Sequence, residues 1–153
     1  MTVQKVMVVG AGQMGSGIAQ VFAQSGFQVI LNDIKQEYVE RGLGVITKNL
    51  TRQVEKERIS ESDQTEVLAR IKTSTSLEDA KDIDLVVEAA IENMDVKTEI
   101  FLQLDQFAPK HAILASNTSS MSITEIASAT KRPQDVVGMH FFNPAVLMKL
   151  VAV

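Results

Sequence analysis

The stretch that most constrains this chain is "KVMVVGAGQMGSGIAQVFAQSG", residues 5–26. A short, nearly continuous apolar run is the pattern of a strand buried on both faces. It breaks into Gly10-Ala11-Gly12-Gln13-Met14-Gly15, and apolar residues then return at Ile18, Val21 and Phe22, which is helical spacing. Gly26 makes a C-terminal stop for that helix. A buried strand that passes through glycines into a helix leaves few choices. Its next partner strand has to be reached by a crossover, and the sheet is then parallel and covered by helices.

The rest of the chain keeps this rhythm. "FQVILND" reads as a second buried strand. A long helix is predicted over about 36–58, where Val39, Leu43, Ile46, Leu50 and Val54 form one narrow apolar seam. A short helix over 63–70 turns the chain back to a brief strand, "IKTSTS". "DIDLVVEAA" is a buried strand with acids at both ends, and "DVKTEIFLQLDQFA" is an amphipathic helix through Val96, Ile100, Leu104 and Phe107. "AILASNTSS" is a strand entering a polar loop, 122–130 a short helix ended by Pro133, and "VVGMHFF" and "LMKLVAV" two further strands. Strand and helix alternate from end to end, so the fold class expected is α/β, a doubly wound, Rossmann-like and mostly parallel sheet with helices on both faces. It forms one unit over 1–153. Ligands bind such sheets outside the carboxyl ends of the strands. The loops at those ends are "GAGQMG", "ND", "EAAIEN", "SNTSS" and "HFFNP".

The first of them matches G-x-G-x-x-G, and Asp33 follows at the end of the second strand, 18 residues after Gly15. This setting is what a dinucleotide fingerprint requires. Gly10 permits the tight turn, Gly12 lets the backbone approach a pyrophosphate, and Gly15 lets helix and strand pack closely. The free N–H groups of the helix start face the phosphate charge. Asp33 can accept hydrogen bonds from the adenosine ribose and repels a 2′-phosphate, which favours NAD over NADP; Lys35 nearby softens that repulsion. Two plainer readings stay open: a glycine turn without a ligand, and Asp33 as the N-cap of the following helix.

Composition excludes several alternatives. The net charge of −4, with no block of basic residues, argues against a nucleic-acid partner. There is no cysteine, hence no disulfide or thiolate metal site, and no metal is expected. No apolar run approaches the ~20 residues of a membrane helix. With a strand predicted from the first residues there is no room for a leader, and the expected location is the cytoplasm.

With the fingerprint, "VVEAAIEN", "ASNTSS" and "HFFNP" in that order, the chain resembles the NAD-binding domain of the 3-hydroxyacyl-CoA dehydrogenases and, within that family, the bacterial members acting on 3-hydroxybutyryl-CoA. The resemblance runs from residue 3 to the end. It implies NAD as cofactor, a short acyl-CoA thioester as substrate, and a place in fatty-acid or butyrate metabolism. It also implies roles for particular residues. His140 is the catalytic base, and Ser119 and Asn143 contact substrate and nicotinamide. Glu92 and Lys97 lie along the cofactor, and Asn49 and Lys56 meet coenzyme A. The chemistry of the side chains agrees. Oxidising a secondary alcohol requires taking up its hydroxyl proton as hydride leaves, and an imidazole titrates in the right range. A structural role for His140, satisfied by backbone, is the alternative. His111 reads as an exposed turn residue. Lys48, Arg52 and Lys56 share one helix face, either a solvated stripe or a seat for the phosphates of coenzyme A.

Three departures from the family follow. Its members are roughly twice as long, with a second, helical half that covers the substrate and usually makes the dimer; homo-oligomerisation of this chain stays open. The family reads "MKLVEV" where this chain reads "MKLVAV", so Ala152 stands where a glutamate pairs with the histidine. Val146 replaces a frequent proline. A carboxylate behind an imidazole fixes its tautomer and stabilises its protonated form, and alanine does neither. The competing reading is therefore an isolated NAD-binding module with little or no turnover.

Overall fold

The computed structural model describes residues 2–117, 123–141 and 151–152. Strands β1 (Lys5–Val9), β2 (Gln28–Asn32), β3 (Ile71–Ser74), β4 (Leu85–Glu88), β5 (Ile113–Ser116) and β6 (Val136–Gly138) form one sheet in the order β3-β2-β1-β4-β5-β6. Every neighbouring pair is parallel. The helices are α1 (Gln13–Gln24), α2 (Gln36–Glu55), α3 (Glu61–Ala69), α4 (Met94–Phe107) and α5 (Ile123–Ser128). A 3₁₀ turn over Leu77–Asp82 and another over Pro133–Asp135 complete the connections. The strand order reverses between β1 and β4, which is where such sheets open a crevice.

Strand alternation divides the core. Val6 and Val8 of β1 join Leu85 and Val87 of β4 under Ile18, Ala19, Ile46, Leu50 and Val67, on the face covered by α1, α2 and α3. Met7, Val9 and Val86 point the other way, onto Phe101, Leu104 and Ile126 of α4 and α5. The sheet is thus buried on both faces, as its unbroken apolar strands require.

Four expectations are corrected in detail. Helix α2 ends at Glu55 rather than near Arg58, because Glu57 takes a left-handed φ of 57°. The strand in "DIDLVVEAA" is only Leu85–Glu88. The buried stripe of α4 runs through Lys97, Phe101 and Leu104, one position round from the predicted seam, with Val96, Ile100 and Phe107 half-buried. "VVGMHFF" is not one strand. β6 ends at Gly138, and β7 (His140–Phe141) pairs antiparallel with β8 (Val151–Ala152) in a separate two-stranded ribbon. Among the described residues no helix is long and apolar enough to cross a membrane.

Candidate functional site

The turn after β1 contains three glycines with different reasons to be there. Gly10 has φ +108°, its N–H donates to the Asn32 carbonyl at 2.7 Å, and a Cβ on it would lie 2.6 Å from the Ala89 carbonyl oxygen. A Cβ on Gly15 would lie 1.7 Å from the Gly10 carbonyl oxygen. Both are demanded by the protein's own packing. Gly12 is not. Its φ of −73° and ψ of −167° suit any residue, and a Cβ there would meet nothing within 4 Å. Gly12 is the N-cap of α1, yet no side chain accepts from the helix start and no acid lies in the first turn. By contrast Ser60 caps α3 and Asn93 caps α4 through their side chains. The start of α1 therefore carries no side-chain cap, and the place of a Gly12 Cβ is open space beside it. That is a cradle for a pyrophosphate, and the residues present fit a dinucleotide.

Asp33 builds the next wall. Its Oδ2 accepts the Ala11 N–H at 2.8 Å and its Oδ1 accepts the Ile34 N–H at 2.7 Å. The half-buried carboxylate clamps the glycine turn from the neighbouring strand and keeps lone pairs for a ribose. It does not cap α2, whose N-cap is Lys35 without a side-chain bond. Lys35 lies 5.6 Å from the Tyr38 ring centroid. Ile34 and Ile91, 78% and 69% exposed, follow β2 and β4 at the same edge and offer apolar walls. Sequence reasoning passed over both; an isoleucine in a polar loop at a strand end is the signal.

Below the edge of the crevice lies a fully buried ion pair. Lys97 Nζ is 2.6 Å from Glu88 Oε2 and 3.4 Å from Glu92 Oε1. Glu88 Oε2 also accepts the Ala90 N–H at 2.7 Å, and its Oε1 accepts the Ser116 hydroxyl at 2.6 Å. Charged groups survive such burial only when their bonds are satisfied, as here. Glu88 thereby fixes the loop whose Ala89 carbonyl abuts Gly10. Of the two residues expected along the cofactor, Glu92 is half-exposed at the rim, while Lys97 is wholly enclosed with its ammonium held by Glu88 and Glu92. Neither Glu88 nor Ser116 was singled out from the sequence, although an acid at the end of an apolar strand is an available clue.

His140 opens β7, opposite Ala152 of β8. Position 152, where the resemblance implies a glutamate, is therefore the backbone partner of residue 140 across the two strands. Asn117 Oδ1 accepts the Phe141 N–H at 2.7 Å, tying β7 to the carboxyl end of β5. Ser119 and Asn143 lie outside the described residues, as do Thr118, Ser120 and Val146. Asn49 and Lys56 are not gathered at the strand ends. They stand about 20 and 30 Å along α2 from its start, by helical rise. Asn49 donates to Gln20 Oε1 at 3.3 Å. Lys48, Arg52 and Lys56 are exposed. His111 is exposed as expected, but its Nε2 lies 2.9 Å from Asp84 Oδ1, at the amino ends of the strands, opposite the crevice. There the carboxylate of Asp84 also accepts the N–H groups of Gln4 and Lys5. These bonds, led by the Gln4 amide and the His111 ring, lower its pKa from 3.8 to about 2. Among the described residues no cluster could hold a metal ion.

The family described as 3-hydroxyacyl-CoA dehydrogenase, NAD binding domain, matches residues 5–153. The probable 3-hydroxybutyryl-CoA dehydrogenase of Bacillus subtilis is 52% identical over 153 residues, all of this chain and 53% of the relative. The 3-hydroxybutyryl-CoA dehydrogenase of Clostridioides difficile is 48% identical over 97% of this chain and 53% of its own length. The crystal structure of (S)-3-hydroxybutyryl-CoA dehydrogenase from Ralstonia eutropha superposes with a TM-score of 0.95 at 46% identity, covering 98% of this chain and 53% of that one. The chain spans about half the length of the curated relatives it matches.

Proposed function

Because the chain belongs to the 3-hydroxyacyl-CoA dehydrogenase family through its NAD-binding domain, we propose that it is the cofactor-holding part of an oxidoreductase acting on short 3-hydroxyacyl-CoA thioesters. The reaction is hydride transfer between NAD(H) and the 3-hydroxybutyryl-CoA/acetoacetyl-CoA pair. The single observation that carries the cofactor assignment is Gly12, whose missing Cβ leaves open space over an uncapped helix start. The substrate class rests on the relatives, 48–53% identical across nearly the whole chain, that bear the name 3-hydroxybutyryl-CoA dehydrogenase. Those matches do not favour a bare nucleotide-holding module.

In this reading residues 10–15 receive the pyrophosphate, Asp33 the adenosine ribose, and Glu92 and Lys97 the edge of the site. The bound nicotinamide supplies a hydride acceptor in one direction and a donor in the other. His140, at the head of β7, takes up the hydroxyl proton of the alcohol. Ser119 and Asn143 orient substrate and ring, and Asn49 and Lys56, far along α2, meet the coenzyme A portion. Residues 1–153 form one cofactor domain, and the family's helical half supplies the other wall of the acyl pocket. A cytoplasmic setting, a place in fatty-acid or butyrate metabolism, self-association and the absence of nucleic-acid or membrane partners belong to the same proposal.

The test is acetoacetyl-CoA-dependent consumption of NADH by this chain and by Ala152→Glu, under single-turnover conditions at saturating cofactor. Consumption that His140→Ala abolishes is expected, and it should be faster with glutamate at 152. No acetoacetyl-CoA-dependent consumption by either protein contradicts the reaction.

A further inference from the structure

We propose that Asn117 is a positioning residue for His140. Its side-chain carbonyl takes the Phe141 amide in place of the sheet, so that the strand bearing His140 leaves the sheet at one fixed point. The proposal rests on reading His140 as the base and goes beyond it.

The hydrogen-bond pattern at the end of β6 carries the argument. β5 and β6 pair in parallel as far as Ser116 and Gly138. The Met139 N–H still donates to the Ser116 carbonyl at 3.0 Å. A continued parallel ladder would hand the next inward N–H, that of Phe141, to a main-chain carbonyl two residues beyond Ser116. It goes instead to Asn117 Oδ1, at 2.7 Å. A side chain has replaced the main chain as acceptor one residue early. The ladder ends, Phe141 keeps a partner, and the strand turns into its antiparallel pairing with β8.

Asn117 is itself held. Its N–H donates to the Glu88 carbonyl at 2.7 Å, and the preceding Ser116 hydroxyl donates to the Glu88 carboxylate. Glu88 is the residue that also fixes Ala90 and Lys97. The strand of His140 is thus referenced to the group that sets the loop against Gly10. Phe141 has a second anchor: its ring, 4% exposed, meets Phe22 of α1 edge-on at 5.9 Å between centroids. His140 therefore lies between two tethered amides, those of Met139 and Phe141. An exact catalytic geometry needs this kind of support from residues that never touch the substrate.

The chain has two histidines, which makes the test direct. His140 is followed by the pH titration of its imidazole NMR signals, and His111, on Asp84 at the amino ends of the strands, serves as internal control. In Asn117→Leu the acceptor is lost, and the Phe141 amide should exchange about fivefold faster or more, relative to the Val137 amide. Asn117→Asp keeps an acceptor for the Phe141 amide and adds a charge beside the backbone that carries His140. It should preserve Phe141 protection and raise the His140 titration by about half a unit to one unit, with His111 unmoved. A contact serving only stability would lower the melting temperature of Asn117→Leu and leave its His140 titration at the parent's value, whereas loss of the tether should move that titration with His111 unmoved. A Phe141 amide that exchanges in Asn117→Leu as in the parent overturns the proposal. So does a His140 titration in Asn117→Leu that matches the parent's. Neither readout requires turnover, so failure of the dehydrogenase reading shows separately, in the NADH assay.

Discussion

Replacing Gly12 by alanine separates the ligand from the fold. The backbone there already has angles open to alanine, and the new methyl meets nothing within 4 Å. Alanine is a poorer N-cap than glycine by up to about 1 kcal/mol. It also stiffens the unfolded chain, which returns about 0.4–1 kcal/mol. The net effect on stability is within about 0.5 kcal/mol, or roughly 1–2 °C in Tm for a domain of this size. Gly15→Ala is the contrast. Its Cβ would lie 1.7 Å from the Gly10 oxygen, where real Cβ contacts stop near 3.0 Å. Backbone has to yield, at a cost at or above the usual overpacking range, about 3 kcal/mol or more, which is roughly 6–12 °C. For binding the order reverses in meaning. The Gly12→Ala methyl fills the space a pyrophosphate approaches, and about 1–3 kcal/mol of overpacking weakens NADH about five- to a hundredfold. The assay is calorimetry in both senses, thermal unfolding and NADH titration, on the same protein. If Gly12→Ala binds NADH as the parent does, the open space is not the ligand's. If it melts as low as Gly15→Ala, that glycine serves the fold.

Lys97→Met should be among the costly changes in the chain, about 3–5 kcal/mol in denaturant unfolding, because it leaves Glu88 charged and buried. Adding Glu88→Gln to it should recover part of that loss, and a single-variant cost under about 1 kcal/mol would show that the pair is not sealed from water. Asp84 carries an acid-dependent part of stability. Its folded pKa, about 2, is below the unfolded value, so its contribution is complete above about pH 4 and is lost as pH falls from there through about 2. The stability gap between parent and Asp84→Asn should be widest near pH 5–6 and close toward pH 2; a gap constant over that range contradicts the clasp.

Much of this fold was legible because its signals are local. Buried parallel strands are apolar runs, crossovers are amphipathic helices, and a glycine turn between them has one common use. The glycines, Asp33 and the strand-end loops were placed at the crevice by those rules alone. What escaped depends on partners distant in sequence. Lys97 looks like the polar side of α4, and the carboxylate of Glu88 at the end of β4, across the short loop into α4, lets its face be the buried one. "VVGMHFF" has the composition of one strand; the break comes from Asn117, 24 residues upstream, outbidding the main chain for one amide. Asp33 also reads as an N-cap of α2, and the Ala11 N–H in the turn after β1 takes its carboxylate instead. Asn49 and Lys56 were named through the family resemblance, and their distance from the strand ends follows from the length of α2, which the sequence had already indicated.

The central claim is that the cradle over α1 holds NAD(H) and that Asp33 reads its ribose. Titration calorimetry of this chain with NADH and with NADPH tests it most directly. One saturable site with NADH bound more tightly than NADPH is predicted, with Asp33→Ala weakening NADH and narrowing the gap, since it removes both the ribose acceptor and the clamp on Ala11. No saturable binding of either cofactor, or NADPH bound as tightly as NADH, would contradict the account.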